Sequence, residues 1–378
     1  MPSPEVATLS RLIGYPTVSN RPVRELAAYV ADRCERIGFR VEVFEDDEDP
    51  TKANVVCSAG PEGEDGLILS GHMDVVPVEG QSWSSDPFTL TERDGRLFGR
   101  GTSDMKGFIA ASLEALERVE VRALRRPLVL IWTHDEEVGC HGSARLVGKL
   151  AGRPLPREAL IGEPTDFNIF RMHPGHVTLQ IITRGEAAHS SKPDLGASAI
   201  KAMARVLVAV EDLEEALRRA RRLEFPLERP YVTMNAGVLR GGQAVNIVPD
   251  RCELTLGYRP LPGDSDLAVA ELLRQRLDEL TLPSGTSVSL EVLRRTPAML
   301  SPEGLPLQGL LTPHACSPRT AASAFATDGG NFEKIGVRSL IFGPGSIDVA
   351  HRADEYVDAA ALHRAVDVVA HIVADRCL

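Results

Sequence analysis

The sequence predicts two domains of different class: an α/β sheet covered by helices on both faces, interrupted by a smaller antiparallel α+β domain. Three observations carry this reading. First, short, continuously apolar runs bounded by Gly or Pro recur at Gly66–Ser70, Pro127–Thr133, Ala159–Gly162 and Ser339–Phe342, with helical stretches such as Met105–Arg118 between them. Such runs suit strands buried on both faces, and their alternation with helices suits a layered α/β sheet. Second, the middle of the chain alternates polar and apolar residues instead, the pattern of strands with one solvated face. Third, 378 residues, 43% of them hydrophobic, are enough for two cores.

In chain order, a first helix is expected over Pro4–Ile13. A second, over Val23–Ile37, is stopped by Gly38, a residue tolerant of left-handed geometry. Arg40–Glu45 alternates as a strand, and DDEDPTKA after it reads as a charged turn. From His176 the pattern changes, with Val177, Leu179 and Ile181 on one face of a strand. An amphipathic helix follows at about Ala197–Arg222, then two alternating strands (YVTMNAGVLRGG and RCELTLGYRP), a helix near Asp266–Glu279 and a strand over Thr286–Leu293. That β-α-β-β-α-β order places a small domain at 175–293. It divides the larger one into 1–174 and 294–378.

Composition narrows the function. Lys plus Arg is 42 against 53 for Asp plus Glu, a formal net charge of -11, which argues against nucleic acid or an anionic membrane as the main partner. The six cysteines (Cys34, Cys57, Cys140, Cys252, Cys316 and Cys377) are scattered without a C-x-x-C pair, so neither a disulfide framework nor a cysteine zinc site is expected. No run approaches a membrane span, and the first residues lack a basic region followed by an apolar one. A location in the reducing cytoplasm is therefore expected.

The polar residues that follow the apolar runs are the candidates for chemistry. Ligands of open α/β sheets bind outside the carboxyl ends of the strands. His72 and Asp74 form H-x-D after the first run. A strand sets i and i+2 on one side, so Asp74 could fix the tautomer of His72. Asp104 sits in the glycine-rich GRGTSDMKG, where it could equally cap the next helix. His134, Asp135, Glu136 and Glu137 follow the second run, and four polar residues at a buried strand end are costly unless paired. Adjacent carboxylates point apart, so one could bind metal while the other acts as a base. Glu163 lies in IGEPT, and His351 in GPGSIDVAHRADEY, whose Gly343 and Gly345 let the chain approach a ligand closely. Any one of these has an ordinary structural explanation. Two His and three acids at one rim form a ligand set for two zinc ions, with cobalt or manganese also compatible.

SGHMDVVP, GRGTSDMKG, HDEEVG, IGEPT, AAHSS and GPGSIDVAHRADEY span nearly the whole chain. In that order they resemble the zinc-dependent deacylase and exopeptidase family, which includes deacetylases, desuccinylases, aminoacylases and carboxypeptidases. The resemblance implies a zinc-exopeptidase-like three-layer catalytic domain with an inserted ferredoxin-like lid that also forms a homodimer. It further implies that His72 and Glu163 bind one zinc, Glu137 and His351 the other, and Asp104 bridges them, with a cis bond to Met105. By the same resemblance Glu136 is the general base, Asp74 orients His72, and His189 reaches the partner subunit's site. Asn246 (in VNIVPD) and Arg259 (in YRPLPG) resemble the family's lid residues that hold the substrate carboxylate, a role that the bidentate fork of Arg259 suits.

Within that family, WSSDPFTLTERDGRLFGRGTSDMKGF, RGEAAHSSKPDLGASAI and RPLPG lean toward members that deacetylate N-acetylornithine. One departure stands out: FATDGGNFEKIG carries Asp328-Gly329 where a Glu-Ala pair is expected, in a segment expected to touch the substrate side chain. Asp328 and Gly343 are accordingly counted with the substrate contacts. Other N-acyl amino acids (N-succinyl-diaminopimelate, N-acetylcitrulline, aminoacylase substrates) and dipeptides are the competing substrates. A non-catalytic binding protein on the same scaffold would be expected to lack a ligand or the base, and this chain has all of them.

Overall fold

The four apolar runs become four neighbouring parallel strands, in the order Leu128–Thr133, Leu67–His72, Glu158–Ile161 and Arg338–Ile341. Their side chains show why both faces must be covered. Leu67, Leu69, Leu128, Leu130 and Trp132 enter one large core cluster. Ile68, Val129 and Ile131, of opposite parity, are buried as well. Period-2 alternation sends these two sets to opposite faces, and each fully buried Leu or Ile contributes roughly 1.5–3 kcal/mol. Helices supply the cover. Lys106–Leu116 packs against both Pro4–Ile13 and Ala359–Cys377, while His141–Leu150 packs against the strand Ala53–Ala59.

This computed structural model describes residues 2–19 and 21–378. The sheet is mixed. Ala53–Ala59, unforeseen in the sequence, inserts antiparallel between Arg40–Glu45 and Leu128–Thr133. Pro4–Ile13 starts with Pro at its first position, where the missing N–H costs nothing. The next helix, Arg24–Ile37, stops at Gly38, whose φ of 113° is left-handed. Among the described residues no helix is long and apolar enough to cross a membrane.

The chain divides into two units. The first is Met1–Met172 with Leu300–Ala321 and Thr327–Leu378; the second is His173–Met299 with Ala322–Ala326. The second has a four-stranded antiparallel sheet in the order Thr233–Gly241, Arg251–Arg259, His176–Arg184, Ser287–Thr296. Val177, Leu179 and Ile181 meet Leu254, Leu256 and Tyr258 in its core. The helices Ala199–Arg219 and Ala268–Asp278 close that core with Met203, Val206, Val210 and Leu273. Thr233–Gly241 is an edge strand whose residues from Asn235 onward are exposed.

Two imidazoles of the second unit, His173 buried and His176 half-buried, are pushed toward the neutral form. Burial pushes His173 down to about 4, although its Nδ1 is hydrogen-bonded to the Pro174 carbonyl. Burial first, then the charges of Arg294 and Arg259, push His176 to about 4. Its Nδ1 accepts a hydrogen bond from Arg294 Nη2 at 2.6 Å. An unfolded imidazole titrates near 6.5. Between about pH 6.5 and 4 the unfolded chain therefore binds more protons, and stability falls as pH falls through that window. Replacing His176 by Gln, which can still accept from Arg294, should flatten part of the loss. Melting temperatures of wild type and H176Q from pH 7.5 to 4 check this; superimposable slopes would mean that His176 does not carry it.

Candidate metal centre

Three adjacent parallel strands end within two residues of one another and deliver the site. His72 is the last residue of its strand and pairs with Thr133, the last residue of the next; Ile161 pairs with Ser70 on the other side. Thr133 therefore hands the 134–140 segment, and Ile161 hands Glu163, to the same rim as His72. Gly162 is required in that turn: a Cβ there would lie 1.8 Å from the Phe108 ring, on the helix that follows Asp104.

Asp104 stands between two imidazoles. Its Oδ1 is 3.0 Å from His72 Nε2 and its Oδ2 is 3.1 Å from His351 Nε2. Glu163 Oε1 lies 3.9 Å from His72 Nε2, and Glu137 Oε2 lies 2.9 Å from His351 Nε2. Two trios result, His72–Asp104–Glu163 and Asp104–Glu137–His351, each with its ligand atoms within 4.8 Å of one another. Asp104 does not cap the helix after it. Met105 holds the cap position, and the Asp104–Met105 peptide is cis.

The electrostatics describe a cluster short of positive charge. Burial, and then the Asp104 charge, raise Glu163 well above the usual carboxylate range and Glu137 to about 7. Burial does the same to Glu136, opposed by His72 and reinforced by Asp328 and Glu137. Burial would also raise Asp104, but the hydrogen bonds from His351 and His72 hold it low. Those bonds to Asp104 and Glu137 raise His351 to about 10. Four carboxylates share two imidazoles, and buried Glu137 Oε1 has no hydrogen-bond partner. Nitrogen and carboxylate oxygen donors in this arrangement fit divalent cations such as zinc, which would supply the missing charge.

Several expected contacts are different in the structure. The Asp74 carboxylate does not hold the His72 ring. His72 Nδ1 is 2.9 Å from the Asp74 backbone carbonyl and 3.7 Å from Oδ1. The carboxylate instead accepts the backbone N–H groups of Glu136 (3.1 Å) and Glu137 (3.3 Å) and the Ser19 hydroxyl (2.9 Å). Asp328 is enclosed rather than open to a ligand. Its two oxygens accept from the hydroxyls of Thr133 (2.6 Å) and Ser143 (2.5 Å), so the carboxyl ties the two ends of the 134–142 segment. Gly343 has a packing role, because a Cβ would meet the carbonyls of Gly162 and Glu163 at 2.5 and 2.7 Å. Its N–H donates to Thr165 Oγ1, and its carbonyl accepts from Phe167 N–H.

His189, Asn246 and Arg259 belong to the second unit. His189 and Asn246 are exposed neighbours, with Ser190 N–H donating to the Asn246 carbonyl at 3.0 Å. Arg259 lines a cavity of about 430 Å³ with Tyr231, Thr233, Leu261 and Ser323.

Sequence reasoning missed Glu355 and Arg100. Glu355 is fully buried and accepts the N–H groups of Gly101 (3.0 Å), Ser103 (2.9 Å) and Asp104 (3.1 Å) with one oxygen, while Arg100 Nη1 reaches the other at 2.6 Å. Arg100 also donates to Gln81, which in turn donates to the His351 carbonyl. One buried pair thus anchors the turn of Asp104 and the turn of His351. A Glu immediately before a short strand, in RADEY, carries no local signal of this. Glu355→Ala should cost about 3–5 kcal/mol, the usual penalty for orphaning a buried charge, and should lower zinc occupancy. Thermal melts and zinc stoichiometry check it; an unchanged melt would remove Glu355 from this role.

The chain is similar to known proteins along nearly its whole length. The model described as peptidase family M20/M25/M40 matches residues 68–375. An acetylornithine deacetylase of Myxococcus xanthus is 36% identical over 98% of this chain and 97% of its own length. One of Proteus mirabilis is 33% identical over 97% and 95%. Among solved structures, an M20 family metallo-carboxypeptidase of Sulfolobus solfataricus superposes with a TM-score of 0.78 at 18% identity, covering 98% of this chain and 99% of its own. A dinuclear metal-binding M20 peptidase of Bacillus subtilis gives 0.69 at 14%, covering 98% and 96%.

Proposed function

The chain belongs to peptidase family M20/M25/M40, and from that premise we propose that it hydrolyses the amide bond of N-acetyl-L-ornithine to L-ornithine and acetate, as a cytoplasmic homodimer with two zinc ions per subunit. The observation that carries the hydrolytic reading is Asp104, with one carboxylate oxygen toward each of two His-and-Glu pairs. The substrate reading is supported by relatives named acetylornithine deacetylase along nearly the whole chain.

His72, Asp104 and Glu163 would hold one cation, and Asp104, Glu137 and His351 the other. Two divalent cations so held supply Lewis acidity to the scissile carbonyl and lower the pKa of water. The chain's own groups do the rest. Glu136 Oε1 is engaged by the Cys140 thiol at 3.3 Å, leaving Oε2 to take a proton from the attacking water and return it to the departing amine. Burial, opposed by the charge of His72, raises the Glu136 carboxyl above the usual carboxylate range. His189 is set as a donor. Its Nδ1 accepts from Ser191 N–H (3.1 Å) and lies 2.7 Å from the Ser191 hydroxyl, so Nε2 carries the proton and can stabilise the oxyanion. Burial and the charge of Arg294 both act against the Arg259 guanidinium, and a substrate carboxylate would relieve both. The exposed edge strand with Val238 and Leu239, and the exposed Val245 near it, support a second copy as the partner.

Three outcomes test the proposal. Zinc-loaded protein should hydrolyse N-acetylornithine faster than N-succinyl-diaminopimelate, and EDTA should abolish the activity until zinc is restored. A higher rate on the succinyl compound would reassign the substrate. Glu136→Gln should keep zinc and fold while kcat falls about 10²–10⁴-fold, the range for a lost general base; a variant with a tenth of wild-type rate would remove Glu136 from that role. If His189 serves the partner's site, refolded mixtures of H189A and E136Q should regain activity that neither has alone. No regain would confine His189 to its own subunit or to no role.

A further inference from the structure

Lys52 lies in the charged turn DDEDPTKA, far in sequence from every group described above, and nothing in the proposed reaction uses it. Yet it is buried, with 8% of its surface exposed. Its Nζ bonds both oxygens of Asp135, at 2.6 and 2.5 Å, and also donates to the Ser19 carbonyl. Asp135 precedes Glu136 directly and has a φ of 53°, a left-handed conformation that is uncommon for a residue other than Gly and persists only where surrounding contacts enforce it. Ser19, held at its carbonyl by Lys52, donates its hydroxyl to Asp74 Oδ2. Asp74 then accepts the N–H groups of Glu136 and Glu137. The contacts close a ring: Lys52 to Asp135, along the chain to Glu136 and Glu137, across to Asp74, and back through Ser19 to Lys52. The second neighbour of Asp135 is His134, whose Nδ1 is 3.4 Å away and beyond hydrogen-bonding geometry. That leaves Lys52 as the group whose bonds fix the Asp135 carboxylate.

We propose that Lys52 is a positioning residue: it pins Asp135 in its left-handed conformation and, through Ser19 and Asp74, sets where Glu136 and Glu137 point. This rests on the reading of Glu136 as base and Glu137 as metal ligand. Its consequence is a loss in kcat with little change in substrate KM, because Lys52, Asp135, Ser19 and Asp74 are not assigned to touch substrate and act only through Glu136 and Glu137. Partners one shell out from a metal site typically cost 10- to 100-fold when removed.

The test uses the full-length zinc-loaded protein with Lys52→Met, Lys52→Arg and Ser19→Ala. Wild type is assayed first on N-acetylornithine and a panel of N-acyl amino acids; failure there sinks the hydrolase reading and leaves the ring to be judged by zinc binding alone. For K52M, kcat should fall about 10- to 100-fold with KM within threefold, and zinc affinity measured by calorimetric titration should fall as well. K52R, which keeps the cation, should recover most of both. S19A keeps the carbonyl that Lys52 bonds, removes the hydroxyl that bonds Asp74 and the Val75 carbonyl, and should give a smaller loss of the same kind, so the test survives if K52M does not fold. Val369→Ala, in the helix Ala359–Cys377, serves as a control destabilised at a distance, and should lower the melting temperature without lowering kcat. K52M with kcat and zinc affinity within twofold of wild type, or with losses no greater than in the control, would overturn the proposal.

Discussion

Asp104 shows one carboxylate oxygen to each of two imidazoles, and the first unit is arranged so that this can happen in a buried place. Putting Asp104, Glu136, Glu137 and Glu163 together against two His side chains is unfavourable by itself, since burial and mutual repulsion act in the same direction on most of them. Such a cluster keeps its shape only if its neighbours hold each acid from outside. The parallel strands do the first part of this. Their paired ends bring His72 level with Thr133, and Ile161 level with Ser70 two residues earlier, so that Glu136, Glu137 and Glu163 follow their strands by two to four residues to reach His72.

The second part is done by carboxylates that bind backbone rather than metal. Glu355 gathers three N–H groups of the Asp104 turn, and Asp74 gathers those of Glu136 and Glu137. Each carries a negative charge toward an already acidic centre, yet each is spent on donors. Glu355 also has its own buried Arg100. Asp328 serves in the same way from the other side, tying Thr133 to Ser143 across the segment that holds the base. Hydrogen bonds to charged groups are worth more than neutral ones, so acids are effective anchors for turns that must not move.

This division explains what could be read in advance. His72, Glu137 and Glu163 follow apolar runs, where a polar residue is conspicuous, and the family's motifs cover them. Lys52 follows four acids in a turn that reads as solvated, and only the long-range pairing of Ala53–Ala59 with Leu128–Thr133 buries it beside Asp135. Ser19 and Glu355 likewise have no local pattern, because their partners lie 55 and about 250 residues away. The alternating strands of the second unit were legible for the opposite reason: one solvated face writes a period-2 pattern into the sequence itself. Asp328 was noticed as a departure, but its environment is set by Thr133 and Ser143, which are distant in the chain.

Enclosure of Asp328 also bears on how substrates are chosen. A carboxyl whose oxygens are both taken by hydroxyls cannot pair with a substrate ammonium without breaking a buried network. The Asp328-Gly329 substitution for the expected Glu-Ala is then better understood as a change in how the 134–142 segment is braced than as a change in what is recognised. On the function proposed above, recognition would come from groups with unmet electrostatic need. Arg259 is one: partly buried, opposed by Arg294, and lining a cavity with Tyr231, Thr233 and Ser323 within the second unit. An amino-acid carboxylate is common to every candidate substrate of this family, so Arg259 would secure the class of substrate rather than its side chain. Discrimination among side chains would then fall to the uncharged lining of that cavity, where Ser323 and Ala324 come from the 322–326 segment, just upstream of Asp328.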